Sequence, residues 1–162
     1  DGGALYCAAS YSYNEMVEML LEKGAQPDAI EEKQGRTAMY FAAWSGDMDL
    51  AAILLKFGAN VNAADSMGTT PLMKAVVASP KNVVFLLDHG ANIDAENLNG
   101  ETALTIAGQT GRLALVDLLT RRGIELYDIQ NGHVRPRRIS EMHVVQRYRP
   151  MQAVLRQDGL LR

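Results

Sequence analysis

Residues 54–72 read LLKFGANVNAADSMGTTPL, and lightly altered copies stand on either side: LLEKGAQPDAIEEKQGRTAM at 20–39 and LLDHGANIDAENLNGETAL at 86–104. The glycines give the period of this repetition. Gly35, Gly68, Gly100 and Gly132 follow one another at intervals of 33, 32 and 32, and Gly24, Gly58, Gly90 and Gly123 at 34, 32 and 33. Self-similarity at about 33 residues is the mark of an array of small structural units.

Each unit can be read locally. After the first glycine of a unit come RTAMYFAA, TTPLMKAV and ETALTIAG, in which Thr37, Thr70 and Thr102 stand where a helix begins. A threonine there accepts a hydrogen bond from the free N–H groups of the first turn. Pro71 follows Thr70 with its φ already set for a helix. Ala42, Ala75 and Ala107 keep this helix thin where a neighbour must come close. Gly46 and Gly111 then turn the chain into a second helix, DMDLAAILLKF (47–57) or RLALVDLLTRR (112–122), and the second glycine series is expected to end it in the left-handed conformation. Helices of roughly 8–11 residues are marginal alone in water. Stacking the units buries the apolar stripes that no single unit can bury, so the sequence predicts an all-α solenoid.

At TTPLMKA (69–75), FLLDHGANIDA (85–95) and LLKFGANVNAAD (54–65) the text resembles the ankyrin repeat. The resemblance covers residues 1–131 as four units, 1–34, 35–67, 68–99 and 100–131, followed by an Arg-rich segment 132–162. It implies a helix pair and a protruding loop per unit, stacked into a curved array. The chain also departs from the family pattern. The histidine that usually ties neighbouring loops together is replaced by Tyr6, Tyr40, Met73 and Thr105, which implies looser joints. Unit three lacks a residue between its helices, where Pro80 is expected to start the second, and unit one carries one extra loop residue.

Composition sets outer limits. The 162 residues are 48% apolar and 22% charged, ordinary for a globular domain. No apolar run approaches the roughly 20 residues that cross a bilayer. The chain opens on Asp-Gly-Gly rather than Met, as a piece of a longer protein would. The single Cys7 excludes an internal disulfide, which favours a reducing compartment, and its apolar helical setting reads as a buried small hydrophobe. The expected localisation is intracellular, cytoplasmic or nuclear.

The net charge of −3 hides two unlike parts. Residues 1–120 hold seven basic and fifteen acidic residues, whereas 121–162 hold nine and four, every basic one an arginine. In the tail, Ile139, Met142, Val145 and Tyr148 recur at helical spacing, and Pro150 opens a second stretch with Met151, Val154 and Leu155 inward, ended by Gly159. A helical cap whose arginines form its solvated face fits this spacing. The other reading is a basic docking or nucleic-acid patch. The acidic body argues against nucleic acid.

Signals of catalysis are absent from the text. Its glycines sit at repeat spacing rather than in a phosphate-binding loop. His89, His133 and His143 have no partners at metal-ligand spacing. Serines lack a nucleophile-elbow context, and Glu31 and Glu32 read as solvated loop charges. Neither catalytic residues nor a cofactor or metal are expected.

What the array offers is a surface. The ankyrin resemblance implies that loop tips and the first helix of each pair line a concave face where partners bind. The matching positions in unit one are Ser10, Tyr11 and Lys23, and in unit two Lys33, Gln34, Arg36, Trp44, Ser45 and Phe57. Unit three supplies Ser66, Met67, Thr69, Val77, Ala78 and His89. Unit four supplies Leu98, Asn99, Glu101, Gln109, Thr110 and Arg122. Unit two stands out, because Arg36, Trp44 and Phe57 bring interface-prone residue types to positions that packing does not require. The competing reading is that Trp44 folds back over the core. Met67, Val77 and Leu98 extend an apolar strip. Asn62 matches the asparagine that a dioxygenase can hydroxylate in this family, against the plainer reading of a turn residue bonding its own loop. The expected function is a monomeric module that binds a protein or peptide. The alternatives are a regulatory or targeting domain of a larger enzyme and nucleic-acid association through the tail.

Overall fold

The computed structural model describes the backbone over 2–125, 127–130 and 133–136, and side chains over 3–123. Contacts divide the chain into two compact units, Asp1–Asp117 and Leu118–Arg162.

The first unit is a ladder of helix pairs. α1 (Gly2–Ser10) and α2 (Asn14–Glu22) form the first pair, α3 (Ala38–Ser45) and α4 (Met48–Lys56) the second, and α5 (Pro71–Ala78) and α6 (Pro80–Asp88) the third. α7 (Ala103–Gln109) leads into α8 (Leu113–Glu125), within which the division between the units falls. The first helices stack side by side, α1 on α3, α3 on α5 and α5 on α7, while α2 packs on α4. Each of α1 to α7 packs on at least one other helix, as their shortness requires.

The caps are the ones the residues call for. The Oγ1 atoms of Thr37, Thr70 and Thr102 accept from the N–H groups of Tyr40, Met73 and Thr105 at 3.4, 3.3 and 3.2 Å. Ala42, Ala75 and Ala107 are fully buried, leaving room for close helix approach. Around them Leu50, Leu54, Leu72, Met73, Val76, Val83 and Leu86 are buried too, each contributing about 1.5–3 kcal/mol of transfer free energy.

The missing residue of unit three has a structural consequence. Ser79 serves both as the last cap of α5 and the first of α6, with an extended φ of −142° where Gly46 and Gly111 adopt +81° and +67°. Asn82, almost wholly buried, then donates its Nδ2 to the Ala42 carbonyl of unit two at 2.8 Å. In unit one the corresponding turn residue is Ser12, at φ +55°, a conformation that costs a non-glycine residue roughly 1 kcal/mol.

Several expectations need correcting. Cys7 is exposed, on the face of α1 turned away from buried Leu5, Ala8 and Ala9. Gly24, Gly58 and Gly90 end their helices at positive φ, and the next residues, Ala25, Ala59 and Ala91, donate back into the helix. Gly123 does not follow suit: α8 runs on to Glu125, and Ile124 rather than Ala comes next. Beyond it β1 (Tyr127–Gln130) pairs antiparallel with β2 (His133–Pro136), Gln130 opposite His133. This pairing crosses the expected boundary between 131 and 132, where a helical cap was to begin. The two connecting residues are Asn131 and Gly132, the pair two-residue hairpins favour. The helices expected around Ile139–Tyr148 and after Pro150 lie outside the described residues.

Candidate interaction surface

Loop tips and first helices form one continuous face of the first unit, and the loops are built alike. Each closes a tight turn through backbone bonds: Glu31 N–H to Arg36 C=O at 2.9 Å, and Asp65 to Thr69 and Asn97 to Glu101 at 3.0 Å each. The Glu31 pair spans five positions and the others four, which is the extra residue of unit one. In each loop one side-chain oxygen takes two amides. Glu31 Oε1 accepts from Lys33 and Gln34, Asp65 Oδ1 from Met67 and Thr69, and Asn97 Oδ1 from Asn99 and Glu101. Glu31 is therefore half-buried and engaged, not the solvated charge its sequence suggested.

Neighbouring loops are tied without the missing histidine. Ser66 N–H donates to Gln34 C=O and Leu98 N–H to Met67 C=O, each at 2.9 Å. A second line runs behind them, with Asn60 N–H on Asp28 Oδ1 and Asn92 N–H on Asn62 Oδ1. Asn62 also donates its Nδ2 to Gly90 C=O at 3.2 Å. Its side chain bridges to the next repeat rather than to its own loop. Of the four residues standing in for histidine, Tyr40 and Met73 are buried, and Thr105 completes a capping box with Thr102.

The site residues fall into registers along this face. Ser10, Trp44, Val77 and Gln109 occupy equivalent positions of α1, α3, α5 and α7, and all four are exposed. Tyr11 and Ser45 share the next register and are exposed too, Tyr11 stacking on Tyr13. Lys33, Gln34, Met67, Leu98 and Asn99 are exposed at the loop tips, while Arg36, Thr69 and Glu101 are half-buried where the loops re-enter the helices. The Glu101 carboxyl is held below its ordinary range chiefly by the hydrogen bond from Asn97 Nδ2 at 2.8 Å, so it stays anionic.

Unit two holds an aromatic cluster. The Tyr6 ring meets Phe41 edge-on at 5.0 Å, Phe41 meets Tyr40 at 5.5 Å and Trp44 at 6.2 Å. Two cations lie over its polar side. The Arg36 guanidinium sits 5.0 Å from the centre of the Tyr40 ring, and Lys74 Nζ lies 5.4 Å from Tyr40 and 5.2 Å from Trp44. Trp44 does not fold away over the core: it remains 51% exposed. Phe57 is not part of the group. It caps α4 at the C-terminal end, with Lys56 over its ring, and Phe41 takes the place expected of it beside Trp44. Lys23 and His89 cap α2 and α6 in the same way.

Lys74 and Tyr40 escaped the sequence reading as site residues. Lys74 stands one period of 33 after Phe41, so a charge appears where the preceding repeat has an aromatic, which marks the position without saying what it touches.

Comparison with known proteins follows the same pattern. A family model described as ankyrin repeats (many copies) matches residues 5–55, and one described as ankyrin repeats (3 copies) matches 57–130. The chain belongs to the ankyrin-repeat family. It is 32% identical over 127 residues to the B-cell lymphoma 3 protein homolog of Mus musculus, covering 75% of this chain and 28% of that protein. It is 31% identical over 119 residues to the E3 ubiquitin-protein ligase KEG of Arabidopsis thaliana, covering 69% and 7%. With the Neurogenic locus Notch protein of Drosophila melanogaster it shares 33% over 127 residues, covering 74% and 5%. The chain thus spans less than a third of the length of each of these relatives. Ankyrin repeats generally mediate protein–protein interaction and are typically non-catalytic, even where, as in the ligase, they are carried within a larger enzyme. Among the described residues no helix is long and apolar enough to cross a membrane, and no cluster of His, Cys, Asp and Glu could hold a metal ion.

Proposed function

We propose that this ankyrin-repeat chain is a protein-binding module that holds a peptide or loop of its partner against the face formed by the first helices and loop tips. Trp44 and Arg36 lie at its centre, and Met67, Val77 and Leu98 extend it. The observation that carries the reading is the exposure of Trp44 in the middle of a register where packing asks for nothing large. Tryptophan and arginine side chains of this kind dominate interface energies. Rigid repeats favour such a role, since the receptor loses little conformational freedom on binding. The repeat units are 1–34, 35–67, 68–99 and a fourth that starts at 100. In the same reading the module works within a longer protein, intracellularly and as a monomer. The similarity to the ligase favours a targeting role beside a catalytic part.

A paired capture from cell extract tests the reading, comparing the wild type with Trp44→Ala/Arg36→Glu, both shown by circular dichroism to fold alike. Truncating interface anchors costs about 2–4 kcal/mol, so the variant is expected to lose a defined set of proteins that the wild type retains at 10-fold or greater enrichment. Equal retention by both forms overturns the assignment of this face.

A further inference from the structure

Two cations converge on one aromatic ring in unit two. Arg36 and Lys74 both lie within 5.4 Å of the centre of the Tyr40 ring. Lys56 pairs with Glu18 elsewhere in the fold, whereas among the described residues Arg36 and Lys74 have no carboxylate within ion-pair distance. Arg36 Nε is shut off from water and makes no hydrogen bond, an unmet donor on a charged group. In the neighbouring loops Glu31, Asp65 and Glu101 each give a carboxylate oxygen to another group. Glu31 closes a turn with Arg36 through the backbone, yet gives its Oε1 to two loop amides while its Oε2 also stays unpaired. Asp65 gives Oδ1 to the amides of Met67 and Thr69, and Glu101 is held by Asn97.

From this we infer that the Arg36–Tyr40–Lys74–Trp44 cluster receives a carboxylate side chain of the protein partner, with an apolar partner side chain seated beside it on Trp44 and Val77. The inference deepens the reading of the same face given above and rests on it. Charge complementarity selects the occupant. The first 120 residues carry an excess of acid, so a basic pair in their midst marks a local reversal of sign. The planar guanidinium of Arg36 suits a carboxylate geometrically, and Lys74 adds a point charge that lies near two rings. Trp44 and Val77 share a register on neighbouring helices, α3 and α5, about 10 Å apart at normal helix packing. The ligand is therefore an acidic residue with a large apolar one close to it in the partner's chain.

The test uses three fluorescein-labelled ten-residue peptides with the same central Leu and Phe, flanked by Asp and Glu, by Asn and Gln, or by Lys. Binding to the full chain is read by fluorescence anisotropy at 50 and 200 mM NaCl. The acidic peptide is expected to bind at least about 10-fold tighter than its amide counterpart, and less tightly at higher salt. Arg36→Gln and Lys74→Gln should each remove most of that preference, weakening the acidic peptide far more than the amide peptide. Trp44→Ala should weaken both peptides. Equal binding of acidic and amide peptides, or a preference that survives both substitutions, overturns the carboxylate inference; if Trp44→Ala still weakens binding in that case, the face itself stands. Binding that none of the three substitutions alters sinks both readings, and no binding by any peptide at 1 mM overturns the carboxylate inference alone. Displacement of the acidic peptide by a twelve-residue thymidine oligonucleotide at equal or lower concentration reassigns the cluster to phosphate and also overturns it.

Discussion

Leu54→Ala lowers the unfolding free energy by about 3–5 kcal/mol in urea titrations analysed by linear extrapolation, whereas Leu20→Ala lowers it by only about 1–2. The two leucines hold the same register in their repeats, since each carbonyl accepts the N–H of the alanine five positions on, Ala59 and Ala25. Their surroundings differ. Leu54 lies on α4 and is wholly buried, whereas Leu20 on α2 is half-buried. Truncating Leu54 removes about three carbons from a closed site and leaves a cavity that the neighbouring repeats restrain from collapsing. Truncating Leu20 loses part of the transfer term and opens a space that solvent already reaches. Against a typical total of 5–15 kcal/mol, the first loss is a large share. Equal losses at the two positions would show that helix pairs, not their stacking, carry the stability.

Gly68→Ala costs about 2–4 kcal/mol, and Gly58→Ala about 1–2. Both glycines sit in the left-handed region, at φ +76° and +83°, so alanine pays the same conformational penalty at each. The surroundings again decide. A Cβ on Gly58 meets nothing within 4 Å, but one on Gly68 lies 3.0 Å from Asn97 Cα and 3.2 Å from Leu98 N. Those are backbone atoms of the next loop and cannot swing aside. They belong to the joint where Leu98 N–H bonds Met67 C=O, so relief of the clash pulls on the tie between repeats. The overpacking adds roughly 1–3 kcal/mol to the conformational term. If the two substitutions prove equally costly in the same urea titrations, the loops are not packed against each other as described.

What could be read from the text follows from where its information lies. The repeat, the threonine caps, Pro80 and the thin alanine rows are local or periodic signals, and each appears where the period puts it. The hairpin of β1 and β2 is local too, but the glycine period runs on through Gly132 and hides it. Cys7 differs for another reason. Apolar character says that a side chain tolerates burial, not which way its helix faces. The Lys74 contacts depend on a tertiary coincidence, because a lysine of α5 lies against rings of α3, and no spacing within one repeat encodes it. Asn62 shows the same limit. Its side chain reads as a local turn-former, yet its partners lie in the next repeat.

The central claim, that the first-helix face meets the partner, is tested most directly by placing a photoreactive benzoylphenylalanine at position 77 or at position 52 of the chain expressed in cells. Val77 stands beside the cluster on α5, and Ala52 is exposed on α4. Irradiation is expected to give a discrete higher-mass product from position 77 that is absent from position 52 and lost when Trp44→Ala is added. A product from position 52 alone, or the same products from both, contradicts the account and moves the working surface to the second helices.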